Sequence, residues 1–319
     1  MLVPHLLLLA SCDPSGDDGI DPDSGTDSGL VDPTGDPATV PLLGYCPLET
    51  QWGEFIIEAY DNYSIVDGQA SNGVVPATVL ELAAAEGDCR LLKRNNPYCD
   101  PTCGPGFTCD FDGTCVVYPE AQDLGSVRIS GLVEDVVMEP LAPTYQYFNT
   151  KLAHPAFLPG ALVEMVTTGG AFAPVMLHAV GVDLLEPTSL LWEVAAGSAL
   201  AVSWDSPVGA VRSSVDLSLN IDQHGITPVT LQCSFQDTGT AVVPASVLDA
   251  LFAFGVSGYP SANLARRTVD SAPLGEGCID LALGHEVLVD VTVGGHTPCG
   301  STADCPDGQE CNLAIQTCQ

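Results

Sequence analysis

The sequence predicts an all-β protein. It should be an antiparallel β-sandwich plus a smaller β-domain, with two small disulfide-rich knuckles and a disordered acidic N-terminal tether. Three observations carry that expectation. Apolar and polar residues alternate, as in "SVDLSLNID", where Val215, Leu217, Leu219 and Ile221 share one face and Ser214, Asp216, Ser218, Asn220 and Asp222 the other. Cysteines are frequent, 13 in 319 residues, and many fall in two short clusters. Residues 13–40 are built of Asp, Gly, Pro, Ser and Thr, with no basic residue and almost nothing to bury.

The elements follow in chain order. The first stretch, "MLVPHLLLLASC", has a short apolar run that ends in Leu9-Ala10-Ser11-Cys12. It resembles the lipobox of bacterial lipoproteins. The resemblance implies a signal peptide over 1–11, cleavage before Cys12, and a lipid anchor on that cysteine. The membrane is then a partner through the anchor, and the location is the cell envelope, at the outer membrane or cell surface. One feature departs from the pattern, since no Lys or Arg precedes the apolar run. No other segment approaches the roughly 18 apolar residues of a transmembrane helix. With Cys12 set aside, 12 cysteines remain, an even number suited to disulfides in an oxidising space.

Residues 12–40 form the tether, because such a composition cannot offset its ordering entropy. "DDGIDPDSGTDSG" also has the oxygen density of calcium-binding loops. The EF-hand spacing and its closing Glu are absent, so a flexible spacer is expected there and calcium-dependent adhesion is the alternative.

Residues 41–96 suit a small antiparallel sheet, with short apolar runs broken by Gly, Asn and Asp; the run 77–85 also fits a helix ended by Gly87. Residues 97–119 and 296–319 are two copies of one knuckle. Cys103-Gly-Pro-Gly-Phe-Thr-Cys109 aligns with Cys305-Pro-Asp-Gly-Gln-Glu-Cys311, each with one further cysteine before and after. A piece that small has no apolar core, and crosslinks must hold it. Zinc sites favour close C-x₂₋₄-C pairs separated by a long loop, whereas the spacings here are three or five residues, then five, then five or six, so disulfides are expected. Sequence does not fix connectivity. The expected pairing is first-to-third and second-to-fourth, giving Cys99–Cys109, Cys103–Cys115, Cys299–Cys311 and Cys305–Cys318. Cys46 and Cys89 would then bracket the small domain, and Cys233 and Cys278 staple the large one. The knuckles resemble the cysteine-rich module named after the Dickkopf N-terminal region, which implies an extracellular disulfide module and no signalling role.

Residues 120–295 carry the clearest alternation. Val127, Ile129 and Leu132 open it; Leu200, Val202 and Trp204, then Val229, Leu231, Cys233 and Phe235, then Val287, Val289, Val291 and Val293 continue it. Eight or nine short strands with Gly, Pro and Asp turns read as an antiparallel β-sandwich. One helix fits, over 245–253, opened by Pro244. The order of lipobox, tether, β-domains and knuckles, together with Trp204, Leu217, Leu219, Asn220, His224, Gly225, Cys233, Asp237, Thr238, Gly239, Pro244 and a paired arginine, resembles a group of secreted lipoproteins of social, predatory bacteria of the myxobacterial type. The resemblance implies fold and location, and no activity.

The chemistry follows from few residues. With 41 acidic residues against 8 basic, nucleic acid is excluded as a partner on charge. "SFQDTGTAVVPAS" looks like the active-site loop of an aspartic protease, with Asp237 as its carboxylate. That chemistry needs a second carboxylate about 3 Å away sharing one proton. Asp23-Ser24-Gly25 and Asp27-Ser28-Gly29 lie in the tether, and Asp270-Ser271-Ala272 lacks the glycine. An acid protease would therefore need a dimer. The simpler expectation is a turn closing a hairpin between Val229–Phe235 and Ala241–Val243. No G-x-S-x-G or H-E-x-x-H occurs, and the histidines at 5, 154, 178, 224, 285 and 296 are scattered. Trp52, Tyr60 and Tyr63 are expected in packing rather than on a platform. The reading is a non-enzymatic protein acting in binding, adhesion or surface coating, with no metal or cofactor, toward an unidentified protein or polysaccharide ligand.

Overall fold

The computed structural model describes residues 35–208, 212–221 and 229–319. The lipobox with Cys12, most of the tether with its calcium reading, and His224-Gly225 lie outside the described residues. All those described belong to one compact unit.

In chain order the first strands are β1 (Gln51–Ala59), β2 (Ser64–Ala70), β3 (Leu80–Glu86), β4 (Cys89–Arg94), β5 (Phe107–Cys109) and β6 (Cys115–Val117). Next come β7 (Val127–Ser130), β8 (Val136–Met138), β9 (Tyr147–Asn149), β10 (Leu162–Thr167), β11 (Met176–Val180), β12 (Leu191–Val194) and β13 (Leu200–Ser203). The last are β14 (Ser214–Asn220), β15 (Val229–Gln236), β16 (Thr240–Val243), β17 (Ser261–Leu274), β18 (Gly277–Val293), β19 (Cys311–Asn312) and β20 (Thr317–Cys318). Helix α1 (Ala245–Phe252) starts after Pro244, whose fixed φ suits a helix entry. The run at 77–85 resolves into a 3₁₀ turn, Pro76–Thr78, and strand β3.

The fold is all-β, built on a ten-stranded sheet of order β3-β4-β15-β14-β17-β18-β1-β2-β9, with β12 added to β18. Two expectations are corrected here. Residues 41–96 do not stand as a separate domain, because β1 to β4 are strands of this same sheet. Nor is the sheet wholly antiparallel, since β1 and β12 both run parallel to β18. Alternation fixes which face is buried but does not fix strand direction.

One face of the large sheet carries two apolar cores. The first gathers Leu217, Leu231, Leu264 and Val289 against α1 and the β13–β16 pair, with Trp192 and Trp204 within it. The second packs Phe55, Ile57, Ile279 and Leu281 against the four-stranded sheet β11-β10-β7-β8. The long hairpin β17–β18 spans both. Its ladder runs without a shift from Ser261↔Asp290 to Leu274↔Gly277, so Leu264 and Leu274 share a face but feed different cores.

The disulfides bear on the same correction. The knuckle bridges are Cys99–Cys109, Cys103–Cys115, Cys299–Cys311 and Cys305–Cys318. The remaining four cysteines do not pair within two domains. Cys46 joins Cys278, and Cys89 joins its cross-strand neighbour Cys233. Each bridge ties an early segment to a late strand, as a shared sheet requires.

Candidate binding groove

Between the two cores the hairpin changes character. Arg266 stands opposite His285 on the buried face, and Arg267 points to the other face. Each arginine organises a polar cluster.

On the buried face Arg266 is 1% exposed and Asp237 fully buried. Arg266 Nε donates to Asp237 Oδ2 at 2.7 Å, and Nη2 donates to Oδ1 at 3.2 Å. The remaining guanidinium hydrogens go to the carbonyls of Asp183, Leu184 and Asp205. Asp237 also accepts from Trp204 Nε1 at 2.7 Å and Ser213 Oγ at 2.6 Å. All five guanidinium donors and both carboxylate oxygens are engaged, which is what a buried charge pair requires. Asp237 therefore faces an arginine, an indole and a hydroxyl, where an acid protease would present a second carboxylate. The expected hairpin is also absent. β15 pairs with β14 and β4, whereas β16 pairs with β13. Asp237-Thr238-Gly239 hands the chain from the large sheet to a separate two-stranded one. Gly239, at φ 90°, lies so close to Ser206 that a Cβ there would sit 2.4 Å from its Oγ.

The opposite face of the sheet forms a groove of about 870 Å³. Strand register aligns Arg90, Gln232, Ser218 and Asn263 in one row across β4, β15, β14 and β17. All four line the groove. The side chains of Arg90, Gln232 and Ser218 have no hydrogen-bond partner among the described residues, while Asn263 Nδ2 donates to Glu286 Oε1 at 3.1 Å. Leu80, Leu82 and Leu92 close one end. A rim segment borders the groove, held by the Cys46–Cys278 bridge and by Asp280, which accepts from the Cys46 N–H and from Gln51. Burial pushes the Asp280 carboxyl up to about 6, against those bonds. Tyr45 on the rim donates to Asp216 at 3.1 Å.

At the other end Arg267 Nη2 binds Glu58 Oε2 at 2.6 Å and Glu286 Oε2 at 2.9 Å. Gly284 separates Arg267 from Glu58 in the register, and its missing side chain opens the path, since a Cβ there would lie 2.4 Å from Arg267 Cγ. Burial pushes Glu58 up to about 7, outweighing the pull of Arg267, and its Oε1 is buried without a partner. Two carboxylate oxygens on one nitrogen lie at most about 5.5 Å apart, near the separation used by retaining glycosidases. Here, however, the guanidinium fills the space between them and Glu58 is only 1% exposed, so the cluster is an ion network at the groove end.

The histidines stay dispersed. His154 Nδ1 lies 3.0 Å from Ser64 Oγ, His178 faces Glu164 at 3.5 Å, and a ring nitrogen of His296 lies 2.8 Å from the Gly258 carbonyl. His285 Nδ1 accepts the Leu185 N–H at 2.9 Å, and burial lowers its pKa. Among the described residues the side chains grouped closely enough to hold a metal are two cysteine triplets, Cys99, Cys103 and Cys115, and Cys299, Cys305 and Cys318. All six are in disulfides. Trp52 packs on Phe172 and covers Gly277, and Tyr60 stacks on Tyr63 at 4.8 Å. Sequence reasoning missed Glu58, Arg267 and Glu286. The one signal was the Arg266-Arg267 pair inside an apolar strand, in a chain with 8 basic residues.

No protein-family model matches the chain, and no curated protein is similar to it in sequence. Among solved structures, the FN1–FN3 domains of chicken CNTN1 are similar over 66% of this chain and 65% of that one, at 5% identity and a TM-score of 0.18. A Ca²⁺-stabilised adhesin that helps an Antarctic bacterium bind ice is similar over 79% of this chain and 76% of that one, at 10% identity and a TM-score of 0.19. Superpositions this loose assign neither fold nor function. Among the described residues no helix is long and apolar enough to cross a membrane.

Proposed function

We propose that the chain is a lipid-anchored protein of the cell envelope that binds a partner through the groove on its large sheet and catalyses no reaction. The observation that carries this reading is the row Arg90, Gln232 and Ser218: three side chains with uncommitted hydrogen-bonding groups, aligned on a rigid sheet and facing a groove of about 870 Å³. The absence of catalysis is supported by Asp237, whose carboxylate is held by Arg266. Six disulfides fit an oxidising compartment, and Leu9-Ala10-Ser11-Cys12 supplies the anchor.

Two measurements test it. In cells displaying the full chain, Cys12→Ser should abolish incorporation of labelled palmitate and move the protein to the soluble fraction; a variant that stays with membranes overturns the anchor. Ser218→Trp fills the groove from its half-buried row and should abolish adhesion of the displaying cells to one another or to a surface, with the fold retained. Adhesion unchanged by this variant overturns the groove as the binding site, and a turnover abolished by one groove substitution overturns the absence of catalysis.

A further inference from the structure

We propose that the first knuckle carries a second binding site, separate from the groove, whose ligand is a neutral polysaccharide. A recess of about 370 Å³ opens on this knuckle. Two exposed aromatic side chains line it, Tyr98 at 75% and Phe107 at 50% exposure. Its polar lining is Asn96, Thr102 and Thr108. None of these three side chains has a hydrogen-bond partner among the described residues. No charged side chain lines the recess, in a chain with 41 acidic residues.

These features select a ligand class. Exposed aromatic rings clustered on one surface mark an interaction site. A charged ligand would meet no counter-charge here. A purely apolar ligand would bury Asn96, Thr102 and Thr108 without partners, at a desolvation cost for each. A neutral sugar satisfies both halves: the C–H face of a pyranose covers an aromatic ring, and its hydroxyls both donate to and accept from amide and hydroxyl groups.

The second knuckle serves as an internal control. It has the same four-cysteine pattern and the same pairing. Where the first has Tyr98 before its first cysteine, the second has Pro298. Where the first has Phe107 and Thr108 before its third cysteine, the second has Gln309 and Glu310. The crosslinked scaffold therefore forms without the aromatic pair, and packing inside so small a module does not account for them. Their exposure leads to the same conclusion.

The test is affinity electrophoresis of the full chain through gels containing, in turn, glycogen, laminarin, a xyloglucan and a galactomannan. At least one should retard the protein. Tyr98→Ala and Phe107→Ala should each weaken that retardation at least tenfold, and Tyr98→Phe, which keeps the ring, should preserve it. Unchanged thermal midpoints would show that the fold is intact. Ser218→Trp in the groove should leave retardation unaltered, so failure at this site and failure of the groove are distinguishable. The proposal is overturned if no neutral polysaccharide retards the chain, or if retardation survives Tyr98→Ala and Phe107→Ala. It is equally overturned if these variants abolish binding to phosphatidylcholine vesicles or to an apolar peptide and binding to sugars is absent.

Discussion

At the scale of single residues, two acidic side chains show how environment decides role. Asp237 sits in a motif that advertises catalysis, yet the chain uses its carboxylate to neutralise Arg266 in a buried site. Asp237→Asn keeps the shape and removes the charge, leaving the guanidinium buried and unpaired. It should cost about 3–5 kcal/mol, as breaking a buried pair does, read as a lower urea midpoint at unchanged m. A catalytic aspartate would lose activity with stability intact. Glu58 shows the opposite case, a carboxyl pushed up to about 7 by burial. It binds more protons in the folded chain than in the unfolded one, where its pKa is about 4.3, so its contribution to stability falls as pH rises between those values. Glu58→Gln stays neutral throughout. The variant should recover about 3 kcal/mol relative to the parent on going from pH 4.5 to pH 8; parallel stability profiles would refute this. The sequence could not foretell either environment, because both depend on which strands meet at the middle of β17.

At the scale of elements, most strands were legible and their partners were not. The alternation at 214–220, 229–235 and 287–293 lies on strands β14, β15 and β18, because burying one face of a pleated strand imposes period two. Asp-Thr-Gly was legible as a turn, but a turn's residues satisfy its own backbone and say nothing about where the next strand goes. Here β16 leaves for β13 instead of folding back on β15. The same limit applies to Cys46, Cys89, Cys233 and Cys278, whose pairing follows sheet order and not sequence proximity. Gly239 is where this crossing is most constrained, with positive φ and no room beside Ser206. Gly239→Ala should destabilise the protein by about 1–3 kcal/mol, measured by chemical denaturation. An effect within about 0.5 kcal/mol, typical of an unconstrained surface site, would mean that the turn relaxes freely.

At the scale of the whole molecule, the expected small domain at 41–96 dissolves into a sheet that also holds β14, β15, β17 and β18. Composition could not reveal this, since a strand of a separate sheet and a strand of a shared one have the same pattern. What replaces two domains is two cores on one sheet, joined through β17–β18. This arrangement has a consequence for unfolding. Losing either core frees half of a continuous ladder that runs from Ser261↔Asp290 to Leu274↔Gly277, and with it the Arg266 and Arg267 clusters at its middle. Neither core can melt while the other keeps its strands in place. Leu264→Ala in the first core and Leu281→Ala in the second should each cost about 2–5 kcal/mol. Both should lower the same single calorimetric transition, with calorimetric and van't Hoff enthalpies in agreement. If each substitution instead moves a different transition, the hairpin is a linker between independent domains and the cores are not coupled through it.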